Sequence, residues 1–170
     1  IQDIPSEVYG LDNLEAYAEL PADARHRSAL AQLDPAPLVG WAHMHRVRFE
    51  KEAKLAKRLA PKGLAPTVLS LHHQAAGTLG QDLRVLARSM DGKVIEAVEH
   101  RRFAHVLGLQ FHPEKRILYD PNLVYRERPE AKEQNFVFAA MRGDVESRAF
   151  LKRFWALVAD WLQSARNSRK

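Results

Sequence analysis

AHVLGLQFHPE, residues 104–114, is an apolar run that stops abruptly at His112, Pro113 and Glu114. Val106, Leu107, Leu109 and Phe111 surround Gly108 in a short, nearly continuous apolar segment. Such a run predicts a strand buried on both faces over Ala104 to Phe111, with neighbours on either side. Chemistry then falls at the end of that strand. Pro113 fixes its own φ and pushes His112 into an extended conformation, so His112 and Glu114 project to the same side. A carboxylate beside an imidazole holds its tautomer and stabilises the imidazolium, which is what a general base serving a nucleophile needs. The spacing by itself is common, and the surrounding residues have to decide its meaning.

Working outward, Val68 to Glu99 reads VLSLHHQAAGTLGQDLRVLARSMDGKVIEAVE. Thr67 to Leu71 is a β-rich run that delivers Ser70, His72, His73 and Gln74 to a loop. Leu83 to Arg88 and Val94 to Glu99 are strands joined by the strong turn signal Asp91-Gly92. Glu96 and Glu99 on this hairpin read as solvated strand carboxylates near the edge of the site. Met44 to Phe49, with Val47 and Phe49 alternating against Arg46 and Arg48, predicts another strand with one wet face.

GLQFHPE resembles the GVQFHPE or GVQWHPE signature of class I glutamine amidotransferases, and Val68 to Glu99 resembles the NSxHHQ segment and the following hairpin of their γ-glutamyl hydrolase branch. The resemblance implies an α/β fold, the flavodoxin-like three-layer amidotransferase fold with a mixed sheet. It also implies a Cys-His-Glu triad in which His112 is the general base and Glu114 its orienting partner. His73 and Gln74, matching HHQ, would line the substrate side of the cleft, and Ser70 matches the serine of NSxHHQ. Leu69 replaces the asparagine before it, which weakens any polar contact there. The expected substrate is a small γ-glutamyl amide, and the mechanism needs no cofactor.

The sequence contains no cysteine, so the nucleophile of such a triad lies outside it. Ile1 is not a methionine, and Gln2 to Pro5 resemble the stretch that follows the nucleophile's strand and helix in the family. The expectation is therefore a C-terminal portion of one amidotransferase-like domain over residues 1–170. Its partner would be an N-terminal portion carrying the cysteine, and alone it would be inactive. Two other readings stay open: a glutaminase subunit delivering ammonia to a synthase, and an inactive amidotransferase-like binding module.

At 170 residues, 46% hydrophobic and 28% charged, the composition is that of an ordinary globular domain. No apolar run is long enough to span a bilayer and no secretory pattern opens the chain, so no membrane partner and a cytoplasmic location are expected. The net charge of +5 permits nucleic acid as a partner without pointing to it. His43-x-His45 and His72-His73 could supply imidazole ligands, but bare pairs with no accompanying carboxylate motif do not predict a metal site.

The remaining segments are connective. Leu11 to Leu20, with Asp12 as N-cap, and Asp23 to Leu33 read as short helices, and Asp34 to Pro37 as a loop. Glu50 to Ala60 reads as an amphipathic helix with a basic face, stopped by Pro61-Lys62-Gly63. Residues 115–143 form a divergent excursion, read as either a specificity lid or a surface insertion, within which Phe136 to Met141 can pack down. The terminal helix covers residues 144–164 with Asp144 as N-cap. Phe150, Leu151, Phe154, Trp155, Val158, Trp161 and Leu162 form its core-facing stripe, and Arg166 to Lys170 a frayed tail.

Overall fold

Period-two strands and one tight turn organise the sheet in the computed structural model, which describes residues 1–26, 43–124 and 132–167. The chain runs through β1 (Gln2–Asp3), α1 (Leu14–Ala18), β2 (His43–Phe49), α2 (Ala56–Leu59), β3 (Thr67–Ser70), β4 (Gln74–Ala75), β5 (Leu83–Ser89), β6 (Ile95–His100), β7 (Leu107–Leu109), α3 (Phe136–Gly143) and α4 (Val145–Asn167). This is an α/β chain. Its main sheet has the order β3-β2-β5-β6-β7, and β1 pairs separately with β4. Every pairing between described strands is antiparallel. The mixed character expected of the sheet is therefore not seen among the described residues.

The turn between β5 and β6 follows its residues. Gly92 takes φ of +79°, open to glycine without steric cost. The Ser89 hydroxyl donates to Asp91 Oδ1 at 2.6 Å, fixing the loop. Pairing in this hairpin is irregular. Ala87 faces Ala97 while Arg88 faces Ile95, so Glu96 is an extra residue on β6 with no opposite number. Such a bulge re-aims a side chain. Glu96 and Glu99 are 0% and 2% exposed, which overturns their reading as solvated strand carboxylates. The physical reason for Glu99 is capping: its two oxygens accept the backbone N–H groups of Lys54 and Leu55 at 2.8 Å each, and Arg84 forms an ion pair with it.

The strand expected over Ala104 to Phe111 is shorter and differently placed. Only Leu107–Leu109 is strand, at the edge of the sheet and paired with β6 alone among the described strands. Its residues are half-buried, Val106 is 45% exposed, and only Phe111 is deeply buried. Leu107 and Leu109 pack one face against the core, and one covered face is enough for an antiparallel edge strand. Gly108 permits close approach to β6, since a Cβ there would lie 2.9 Å from Val98 Cγ2.

The core joins the sheet to α4. The Phe150 ring lies 5.6 Å from that of Phe49 and 5.9 Å from that of Phe111. Burying each such ring contributes about 2–3 kcal/mol. Phe150, Leu151, Phe154 and Leu157 are buried, but Trp155 and Leu162 of the expected stripe are exposed. Asp144 is the N-cap as expected, accepting from Ser147 N at 2.9 Å. Residues of the excursion enter this core: Ile117, Leu118, Val137 and Met141 are buried there.

Other boundaries shift. Asn13, not Asp12, caps α1 by accepting from Ala16 N at 2.8 Å. Of the helix expected over Asp23 to Leu33, a single 3₁₀ turn at Ala22–Ala24 is seen, and residues 27–33, like the loop 34–37, lie outside the described residues. Glu50 to Ala60 keeps its amphipathic burial, but only Ala56–Leu59 is helical. No helix among the described residues is long and apolar enough to cross a membrane.

One consequence of the curled sheet sets up the site. Beyond β7 the chain crosses from one edge to the other. Gln110 N–H donates to the Glu96 carbonyl at 2.8 Å, and His112 N–H donates to the Leu69 carbonyl at 2.8 Å. Main-chain bonds thus place His112 beside the loop that leaves β3.

Candidate functional site

His112 and Glu114 meet as their spacing predicts. Nδ1 of His112 lies 2.8 Å from Oε1 of Glu114. A carboxylate only accepts, so Nδ1 carries the hydrogen and Nε2 keeps a free lone pair. The imidazole is 33% exposed and the carboxylate 53%, so the pair opens to solvent. Burial opposes charge on Glu114, but the hydrogen bond from His112 outweighs it and holds the carboxyl below the usual carboxylate range. The arrangement can receive a proton at Nε2 and stabilise the resulting cation.

The backbone behind the pair is held by Tyr119, whose hydroxyl donates to the Pro113 carbonyl at 2.5 Å. Tyr119 also borders a groove of about 530 Å³ lined by Leu118, Phe138, Met141, Leu151 and Trp155. The excursion of residues 115–143 thus supplies both core and one wall of this groove.

The three residues expected on the substrate side separate. His73 and Gln74 are exposed on the loop after β3. Their main chain is anchored: the His73 carbonyl accepts Ile4 N–H at 2.8 Å and the Gln74 carbonyl accepts the Gln110 amide at 2.7 Å. Ser70 is instead fully buried, its hydroxyl donating to the carbonyl of His26.

Behind this loop lies a cluster that residue patterns did not reveal. His26, His45 and Glu96 are fully or almost fully buried, and His72 joins them from the loop. Glu96 Oε1 lies 2.8 Å from His26 Nδ1 and 3.7 Å from His45 Nε2, and Glu96 Oε2 lies 3.5 Å from His72 Nε2. Burial pushes His45 down to about 4, against the attraction of Glu96. Burial also opposes charge on Glu96, yet the imidazoles of His26 and His72 outweigh it and hold the carboxyl below its usual range. His43, the other half of the His-x-His pair, sits apart with Nε2 against the Ala22 carbonyl at 2.8 Å. The only sequence hint was His45 and His72 in two separate pairs; the bulge that turns Glu96 inward left none.

A family model described as Peptidase C26 matches residues 15–114, the span holding both the pair and the cluster. A glutamine amidotransferase-like protein of Rickettsia prowazekii is 41% identical over 70 residues, which cover 41% of this chain and 24% of that protein. A glutamine amidotransferase-like protein of Lactococcus lactis is 39% identical over 70 residues, covering 41% of this chain and 27% of its own length. The gamma-glutamyl-gamma-aminobutyrate hydrolase PuuD of Escherichia coli is 42% identical over 74 residues, covering 44% of this chain and 28% of that enzyme. The chain therefore spans about a quarter of the length of these curated relatives.

Proposed function

Because this chain belongs to the Peptidase C26 family, matched over residues 15–114, we propose that it supplies the His and Glu of a Cys-His-Glu thiol hydrolase acting on γ-glutamyl amides. The observation that carries this reading is the 2.8 Å contact between His112 Nδ1 and Glu114 Oε1, with the imidazole open to solvent. The hydrolase name of the Escherichia coli relative supports the substrate class.

The sequence holds no cysteine, so the thiol belongs to polypeptide outside it. In the reaction His112 Nε2 takes the thiol proton as sulfur attacks the γ-carbonyl carbon. The C–N bond breaks as the same nitrogen returns the proton to the leaving amine. Water, deprotonated at Nε2, then cleaves the thioester, and the proton passes back to sulfur. Glu114 keeps Nδ1 protonated and offsets the imidazolium charge throughout. His73 and Gln74, exposed on the loop after β3, contact the γ-glutamyl group, whereas buried Ser70 acts through its bond to His26.

The amidotransferase-like names of two relatives favour a second reading, in which the released ammonia feeds a synthase. Both are tested in a protein that joins this chain to its cysteine-bearing portion, assayed with γ-glutamyl-γ-aminobutyrate and with glutamine. Hydrolysis of the first, lost in His112→Ala with the fold retained, is the expected result. Turnover unchanged in His112→Ala would sink the triad, and glutamine hydrolysis that depends on a co-purifying synthase would favour the second reading.

A further inference from the structure

The buried cluster behind the loop has no role in the proposed acyl transfer, yet four of its side chains offer ligand atoms within 4.8 Å of one another. They come from four parts of the chain: the segment after the Ala22–Ala24 turn, β2, the loop after β3, and β6. His26 is fixed from both sides of its own peptide, its N–H donating to the Tyr17 hydroxyl at 2.6 Å and its carbonyl accepting from Ser70.

Tautomers make the cluster electrostatically incomplete. His45 Nδ1 lies 3.1 Å from the Arg46 carbonyl, and His72 Nδ1 lies 3.0 Å from the Gln74 carbonyl. A carbonyl only accepts, so His45 Nδ1 carries the hydrogen and its Nε2 is a bare lone pair facing Glu96 Oε1. His72 Nδ1 stands between the Gln74 carbonyl and the Gln110 amide, 3.2 Å away, and its Nε2 faces Glu96 Oε2. The Nε2 atoms of His26, His45 and His72 are buried without a hydrogen-bond partner, and His26 Nδ1 meets Glu96 Oε1 at 2.8 Å. Lone pairs facing a carboxylate in a dry site repel unless a cation lies among them.

We propose that His26 Nδ1, His45 Nε2, His72 Nε2 and one oxygen of Glu96 form a closed site for a single zinc-class divalent ion. Three imidazoles and a carboxylate are a zinc ligand set, and metal bonds of about 2.0–2.1 Å put tetrahedral ligands about 3.3 Å apart. The separations of 2.8 and 3.7 Å from Glu96 Oε1 to His26 Nδ1 and His45 Nε2 bracket that edge, and His72 Nε2 lies 3.5 Å from the other oxygen of the same carboxylate. Backbone carbonyls on the opposite ring nitrogens of His45 and His72 are the outer contacts that orient metal-binding histidines. With four protein ligands the ion has no open position, so its task is structural: it ties β2, β6 and the loop carrying His73 and Gln74 into one unit.

The test strips the purified protein with chelator and titrates it with cobalt(II), then zinc. Expected are the visible bands of tetrahedral cobalt saturating at one equivalent, displacement by zinc, and a rise in Tm with zinc. His72→Ala, the change nearest the surface, should weaken uptake at least tenfold, as should Glu96→Gln. His100→Ala and His105→Ala, histidines outside the cluster, should leave it unchanged. X-ray absorption of the zinc-loaded wild type reads the ligand set without any variant and should show three imidazoles and an oxygen. A folded wild type that gives no bands and no zinc-dependent Tm rise overturns the site. So does binding unaltered by His72→Ala, or a zinc shell with fewer than three imidazoles.

Discussion

Trp155 donates its indole N–H to the hydroxyl of Tyr119 at 2.8 Å, while that hydroxyl donates onward to the Pro113 carbonyl. A helix of the core is thereby linked to the main chain between His112 and Glu114. Tyr119→Phe should cost about 0.5–1 kcal/mol, the range of a partly exposed hydrogen bond. Turnover should fall by more than the loss of stability would cause, because the carbonyl next to Glu114 is released. Urea unfolding alongside kcat with a γ-glutamyl amide, in the protein joined to its cysteine-bearing portion, would check this; equal kcat in Tyr119→Phe would show that the link serves stability alone.

The two members of the pair should not be equivalent. His112→Ala removes the proton acceptor and should lower kcat by roughly 10²-fold or more. Glu114→Gln keeps a hydrogen-bond acceptor for Nδ1 but loses the charge that offsets the imidazolium, so its effect should be smaller. Rates for both variants in the cysteine-containing protein settle the ranking, and a more severe loss in Glu114→Gln would reverse the assigned roles.

Asp144 caps α4 and also accepts from the Thr67 hydroxyl at 3.1 Å. Burial works against its charge, but the hydrogen bonds of Ser147 and Thr67 prevail and hold its carboxyl below the ordinary value of 3.8. A depressed folded-state pKa contributes stability that is present above the ordinary value and fades as pH drops through the folded one. Asp144→Ala should therefore destabilise by about 1–2 kcal/mol at pH 7, with the gap between variant and wild type narrowing toward pH 3. Denaturant midpoints at the two pH values test the sign.

Gly108 is a packing requirement. Its missing Cβ would lie 2.9 Å from Val98 Cγ2, on a β-branched side chain that cannot easily turn away. Gly108→Ala should cost about 1–3 kcal/mol, and adding Val98→Ala should recover part of it. A double-mutant cycle with no coupling would place the strain elsewhere.

These residues show what the sequence could and could not convey. Alternation in His43–Phe49 and the Asp91-Gly92 turn are local, and the strands they predicted formed with ends moved by a residue or so. The His112–Glu114 contact was legible because two residues separated by one proline have few ways to avoid each other. The place of β7 was not, since an apolar run reads alike whether it is central or at an edge. Nor was the burial of Glu96, which depends on a slip in pairing against β5. His26, His45 and His72 are far apart in the chain, and only the folded sheet makes them neighbours.

The crossing of residues 110–112 has an evolutionary consequence. Because the amides of Gln110 and His112, and not their side chains, grip the Glu96 and Leu69 carbonyls, the segment holds its course whatever non-proline residue stands at position 112. Descendants of such a sheet can exchange or discard the histidine's chemistry while inheriting the loop in place, so loss of turnover need leave no trace in the backbone.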